Sequence, residues 1–371
     1  MTEPATMMIS CIRRYTVCAA VFATSLSTAA AAAATTPRAW LVSKGNAQAV
    51  LVGESHTSTP VENDRYFETV VKPGYAVAEV AVMETYFGPD QLQNGAFALG
   101  APCFDDPKGL HTQRLHLALD ALIRTTRDSH LDVPNWLEGW EIFPQYLAAT
   151  LLDTFTTESL GPAYGVAFAT GVSFRLRGKG TVSKKTIGLD KLVDRRTHFC
   201  NASAADRADF VADKALQVSR LLRLKQSDPS FTSLGNLAGV AGEAINETIR
   251  CVDQAMPCAI DQVSPEEQIL QDKGWAMHYS SGTFEIMIKQ RTRAWVPLIA
   301  KTISEHRRSF VIVGALHLPD LRVGKRVEPG LISLLRQEGF SVTRIDGAGD
   351  ISATFLSPSW FDRVRSALGS L

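Results

Sequence analysis

Two histidines occupy the same place in two similar stretches. Val50-Leu-Val-Gly-Glu-Ser-His56 and Phe310-Val-Ile-Val-Gly-Ala-Leu-His317 each run a short apolar segment into a glycine, and a histidine follows three residues later. An apolar run ending in glycine reads as a buried strand that stops abruptly. Glycine lets the backbone turn there without Cβ strain and presents the histidine at the strand's carboxyl end. In open α/β sheets that edge is where ligands bind. The two histidines lie 261 positions apart (317 − 56), and their convergence on one point is the arrangement that suits a divalent metal held by neutral imidazoles.

Carboxylates supply the rest of such a site. Glu79 sits inside Ala76-Val-Ala-Glu-Val-Ala-Val82, within an apolar run from Tyr75 to Val82 that reads as a strand buried on both faces. A carboxylate there is costly without a partner, and a metal or a histidine would compensate it. Glu84 lies where that strand ends and ranks behind Glu79. Glu54 follows the turn glycine Gly53 directly, placed to be a metal ligand or a general base, or simply to favour the start of the next helix. Arg291 is placed to reach the cleft and bind a carboxylate or a developing oxyanion, whereas Arg293 reads as part of a solvated face. The chain has no serine nucleophile elbow, no phosphate loop and no His-Glu-x-x-His helix.

The elements that must position these residues follow from pattern. Ala39 to Lys44 and Gln48 to Val52 read as a hairpin turning at Gly45-Asn46. Helices are expected at 61–71, 89–99, 111–127, 141–155 and 162–177. Thr186-Ile-Gly-Leu189 reads as a short strand, with Asp190 set to cap the helix after it. A helix over 201–224 has Asn201 or Ser203 at its start. The pattern from Phe284 to His306 is helical, with Pro297 expected to kink or split it. After His317 a loop is expected to Pro329, then a helix to Gln337, a stop at Gly339, a strand from Phe340 to Ile345 and a helix over 357–368. The two ends are αβ material and the middle is mostly helical.

Arg13-Arg14, an uncharged apolar stretch from Tyr15 to Leu26 and an alanine-rich segment to Ala34 form the three parts of a secretory signal peptide. The apolar run is too short to span a membrane. Export leaves Cys103, Cys200, Cys251 and Cys258 in an oxidising compartment. A local pair Cys251–Cys258 is expected, with Cys103 and Cys200 closing a longer loop, although three pairings are open. Formal charge balances, with 38 basic and 38 acidic residues, which gives no electrostatic reason for nucleic acid as a partner.

These stretches together resemble the TraB/GumN family, the group related to the Tiki metalloproteases. Trp40-Leu-Val-Ser-Lys44 with Val50 to His56 resembles the family's opening hairpin and first G-x-x-H. Ala76 to Val82 resembles its glutamate-bearing strand, Ile187-Gly-Leu-Asp190 its Gly-Leu-Glu segment, and Arg291-Thr-Arg-Ala-Trp295 its Arg-Asn-x-x-Trp helix. Phe310 to Leu318, Gly330 to Arg336 and Glu338 to Val342 resemble the second G-x-x-H and the closing helix and strand. The resemblance implies a metal-dependent hydrolase with His56, His317 and Glu79 as its site. Asp190 stands where the family has glutamate, Thr292 where it has asparagine, and the loop from Asp320 to Pro329 is longer. Gly53-Glu-Ser-His56 also resembles ChaN-like haem- or iron-binding proteins and erythromycin-esterase-like hydrolases.

The resulting expectation is an α/β (α+β) protein. A signal peptide covers 1–34, and a TraB/GumN-like domain covers 35–371. Its central mixed β-sheet is flanked by helices, and a mostly helical insert over about 90–275 separates the two strand-Gly-x-x-His halves. The expected function is a periplasmic or secreted metal-dependent hydrolase, a peptidase acting on peptide or protein. His56, His317 and Glu79 hold zinc, manganese or cobalt, with Glu54 and Arg291 assisting. The alternative is a ChaN-like protein that binds haem, iron or a small ligand without turnover.

Overall fold

The computed structural model describes residues 38–54, 66–84, 112–140, 148–149, 151–152, 155, 159, 172–176, 184–190, 192–227, 248, 250–260, 280–351 and 355. The signal segment, His56, Cys103 and the helices expected at 89–99 and 357–368 lie outside these residues.

Six strands form the central sheet: β1 (Arg38–Lys44), β2 (Ala47–Glu54), β3 (Val80–Met83), β4 (Lys185–Gly188), β6 (Arg308–Gly314) and β9 (Ser341–Ile345), in the order β4-β3-β6-β2-β1-β9. The sheet is mixed, as expected. β2, β3, β4 and β6 run parallel, and β1 is antiparallel to both β2 and β9. β1 and β2 form the anticipated hairpin, turning at Gly45, whose φ of +60° suits a residue without Cβ.

Side chains alternate between the two faces of the sheet. On one face Ala49, Leu51, Val82, Val311 and Val313 pack with Trp295, Val296, Ile299 and Ile303 and with Leu331 and Leu335. These belong to two helices numbered below. On the other face Val50, Val52, Ala81, Met83, Phe310 and Ile312 meet Phe67, Val71 and Tyr75, from a π-helical turn Phe67–Val71 and the helix α1 (Lys72–Val77). The sheet is thus covered on both sides, which explains its nearly continuous apolar strands.

The described middle of the chain is largely helical: α2 (Gln113–Asp128), α3 (Asn135–Glu138), α4 (Val172–Leu176), α5 (Leu192–Asn201) and α6 (Ala204–Ser227). Ser203 caps α6, its hydroxyl accepting the Asp206 N–H at 3.0 Å. α2 and α6 share a separate core through Leu115, Leu119, Leu122, Val211, Ala215 and Leu222. β4, within the same span, belongs to the central sheet.

Three local expectations need correction. Tyr75 to Val77 belongs to α1 rather than to a strand, and β3 begins only at Val80. The helix is held at its end by Lys184, whose ammonium donates to the carbonyls of Ala76 and Ala78 as well as Tyr75. Pro297 does not split its helix. A turn Ser281–Thr283 and a π-helical turn Phe284–Lys289 lead without a break into α7 (Gln290–Glu305). Pro297 faces solvent, so the carbonyl it leaves without an N–H is free to take water, while Trp295, Ile299 and Ile303 fasten the helix to the sheet. Finally, the segment after His317 is not a plain loop. β7 (Leu321–Val323) and β8 (Arg326–Glu328) form a hairpin turning at Gly324, φ +60°, and β7 pairs with β5 (Cys258–Ile260). The chain then continues through α8 (Leu331–Gln337), Gly339 at φ +83°, β9 and α9 (Ala348–Ile351).

The disulfide Cys251–Cys258 forms as expected and ties β5 to the helical residues before it. Cys200 is also disulfide-bonded. Among the described residues no helix is long and apolar enough to cross a membrane.

Candidate functional site

The four parallel strands end together, and each end delivers a polar residue. In the register of β2 and β6, Glu54 is level with Gly314. Glu84 follows β3, its N–H donating to the Ile312 carbonyl at 3.1 Å. Asp190 follows β4, one residue after Leu189, whose N–H donates to the Met83 carbonyl. His317 closes a single 3-10 turn, Ala315–His317, that follows Gly314. All four are buried, with Glu54 at 2% relative exposure, Glu84 at 3%, Asp190 at 1% and His317 at 3%.

α7 lies across this edge and contributes three residues. Arg291 Nη2 donates to Glu84 Oε1 at 2.6 Å and also to Asp190 Oδ2, while its Nε donates to Asp190 Oδ1 at 3.3 Å and Nη1 to the Met287 carbonyl at 2.9 Å. Glu84 Oε2 accepts the Gly314 N–H. Burial works against the Arg291 charge, but Glu84 and Asp190 outweigh it through charge and hydrogen bonds and raise the arginine's pKa above its ordinary value. Trp295 Nε1–H donates to Asp190 Oδ1 at 3.1 Å. Its ring lies 4.7 Å from Arg291 Cζ and 4.4 Å, centroid to centroid, from the His317 ring.

Thr292 decides the state of His317. Its hydroxyl has one proton. That proton goes to the Ile288 carbonyl at 2.6 Å, in the π-helical turn before α7. The contact of 2.7 Å between Thr292 Oγ1 and His317 Nδ1 must then be Nδ1–H donating to the hydroxyl. In the neutral imidazole this leaves Nε2 as the lone-pair nitrogen. Nε2 lies 3.8 Å from Glu84 Oε1, too far for a hydrogen bond.

The expected site residues therefore divide. His317, Arg291 and Glu54 are at the carboxyl edge. Glu79 is not. It is exposed at the opposite edge, where its N–H donates to the Arg308 carbonyl and its carboxylate accepts the Arg307 N–H at 3.2 Å. Five residues of extended chain, about 16 Å, separate it from Glu84. The structure brings Glu84 to His317 in its place. The oxyanion role expected of Arg291 also loses its basis, because four of its five N–H groups already have acceptors. Arg293 is on a solvated face as expected, paired with Glu328. Thr292 and Trp295 were legible only as family positions, yet both touch the histidine; Asp190, read as a helix cap as well as a family position, instead holds Arg291 and Trp295. Arg291 and Trp295 were separable from their neighbours by helical spacing, since i and i+4 share a face.

Fit to a metal can be judged from the donors. His317 has the tautomer a ligand requires, and a carboxylate oxygen faces it. Two bonds of about 2.1 Å at a tetrahedral angle put their donor atoms roughly 3.4 Å apart, close to the 3.8 Å here. Among the described residues no group of three or more His, Cys, Asp or Glu is placed to hold an ion. His56 lies outside them.

The TraB/PrgY/gumN family model matches residues 266–344. That segment contains Arg291, Thr292, Trp295 and His317, but none of the three edge carboxylates. No curated protein and no solved structure matches the chain.

Proposed function

From a chain whose residues 266–344 are a TraB/PrgY/gumN family segment, we propose an exported metal-dependent hydrolase that cleaves peptide bonds. Zinc, manganese or cobalt would be held by His317 Nε2 and Glu84, with His56 as the second imidazole. Glu84 takes the place expected of Glu79. The observation that carries this reading is the contact of 2.7 Å between Thr292 Oγ1 and His317 Nδ1, which assigns the lone pair to Nε2, 3.8 Å from a Glu84 carboxylate oxygen. An imidazole oriented through its other nitrogen is the usual support of a metal ligand. When bound, the metal would supply an acidified water and polarise the scissile carbonyl.

The chain's own residues have separate tasks in this scheme. Thr292 fixes the His317 ring, and Trp295 covers its face. Gly314 N–H and Arg291 orient the Glu84 carboxylate. Glu54, on the neighbouring strand, is assigned the general base that takes the water's proton.

The test is the metal content of protein refolded with each cation in turn. Wild type is expected to retain about one cation per chain, His317→Ala to lose it, and Glu79→Gln to keep it. Equal content in wild type and His317→Ala would end the proposal. A visible absorption band on haem addition, lost in His56→Ala, would replace it with the haem-binding reading.

A further inference from the structure

Glu84 Oε1 faces two cations, one present and one proposed. It accepts from Arg291 Nη2 at 2.6 Å, and it is the oxygen 3.8 Å from His317 Nε2. Its partner Oε2 is taken by the Gly314 N–H. A carboxylate oxygen has lone pairs enough for a guanidinium and a metal together, but each positive charge opposes the other. Arg291 is buried and fastened by Asp190, by the Met287 carbonyl and under the Trp295 ring. Asp190 binds it at two points, Nε and Nη2, and its negative charge is the counterweight to the guanidinium.

We propose that Arg291 is an internal cation that competes with the metal for Glu84, and that Asp190 sets the strength of that competition. This rests on the metal-dependent reading above. Removing the Arg291 charge takes away the guanidinium that opposes a divalent ion at Glu84 and Asp190. Removing the Asp190 charge takes away one of the guanidinium's two described countercharges, so more of its pull falls on Glu84. The two changes therefore move cation affinity in opposite directions. A network that only shapes the site would give the same sign for both, since each deletion loosens it.

The experiment is calorimetric titration of zinc and of manganese into the full chain, folding being checked by circular dichroism. Arg291→Gln is expected to bind on the order of tenfold tighter than wild type, and Asp190→Asn on the order of tenfold weaker. Asp190→Glu, which keeps the charge, is expected to restore wild-type affinity. Because stripping a buried ion pair of its arginine can prevent folding, the Asp190 pair of variants carries the test if Arg291→Gln is unfolded. Weaker binding by Arg291→Gln, or unchanged or tighter binding by Asp190→Asn, overturns the competition while wild-type binding keeps the metal reading. Binding by Arg291→Gln alone supports the competition outright. Failure of wild type and every variant to bind removes the metal reading and the inference with it.

Discussion

Thr292→Val changes one atom's chemistry at the centre of the site and almost nothing else. Thr292 is 2% exposed, and valine matches its shape and, closely, its helix propensity. The hydroxyl that is lost accepts His317 Nδ1–H at 2.7 Å. Leaving that N–H buried without an acceptor costs about 1–3 kcal/mol. The cheapest relief is to move the proton to Nε2, where Glu84 Oε1 stands 3.8 Å away and the gap needs to close by only about 1 Å to make a hydrogen bond. The expected loss of stability is therefore at the low end, about 1–2 kcal/mol by urea denaturation. Thr292→Ser keeps the hydroxyl and loses one methyl, about 0.8 kcal/mol. Stability alone does not separate the two. Imidazole nitrogen-15 spectra do: wild type and Thr292→Ser should show a protonated Nδ1, and Thr292→Val a protonated Nε2. Metal affinity should drop 10- to 100-fold on the order expected for loss of a ligand's supporting hydrogen bond, in the valine variant only. A valine variant that keeps its proton on Nδ1 would refute the tautomer argument and remove the observation on which the functional reading rests.

Glu84→Gln should cost about 3–5 kcal/mol, because it leaves Arg291 buried with half its countercharge, while Glu79→Gln should stay within about 0.5 kcal/mol; urea midpoints compare the two directly. Replacing Cys251 and Cys258 by serine opens a short loop and should lower stability by about 2.5 kcal/mol on the chain-entropy scale, with amide exchange rising in β5 and β7 first. Asp209 is raised in pKa from 3.8, chiefly by burial, against the lowering pull of Arg114 and with Asp213 and Asp206 adding to it. Its charged form therefore costs stability above its folded pKa, and the cost fades as pH falls towards 3.8 and both states become protonated. Asp209→Asn should raise the melting temperature at neutral pH and have no advantage below pH 3.8; an advantage that grows in acid would contradict this.

Much of the fold was legible because burial on both sheet faces writes an unmistakable apolar run. β2 and β6 are such runs, and the Gly45 turn fixes the first hairpin. Where an apolar run is short, strand and helix look alike. Tyr75 and Ala78 are buried as expected, but α1 accounts for Tyr75, and the residue that secures its end is Lys184, over 100 positions away. No local signal carries that. The β7–β8 hairpin was missed for a similar reason: its strands are three residues each, and only the Gly324 turn hints at them.

The misplaced glutamate is more instructive. Glu79 was favoured because it sat among apolar residues, and Glu84 was set behind it because it lay at a strand end. Yet the carboxyl-edge rule that singled out His317 applies to every parallel strand. Applied evenly, it selects Glu54 after β2, Glu84 after β3 and Asp190 after β4, all three now found buried there. Neighbouring strands are only about 4.8 Å apart, so these acids share one edge, where Glu84 and Asp190 are paired with Arg291 and Glu54 accepts the Ser173 N–H at 2.8 Å. A buried carboxylate needs partners that an exposed one does not, so burial at the carboxyl edge, which Glu84 has and Glu79 lacks, is the property that marks a candidate site residue.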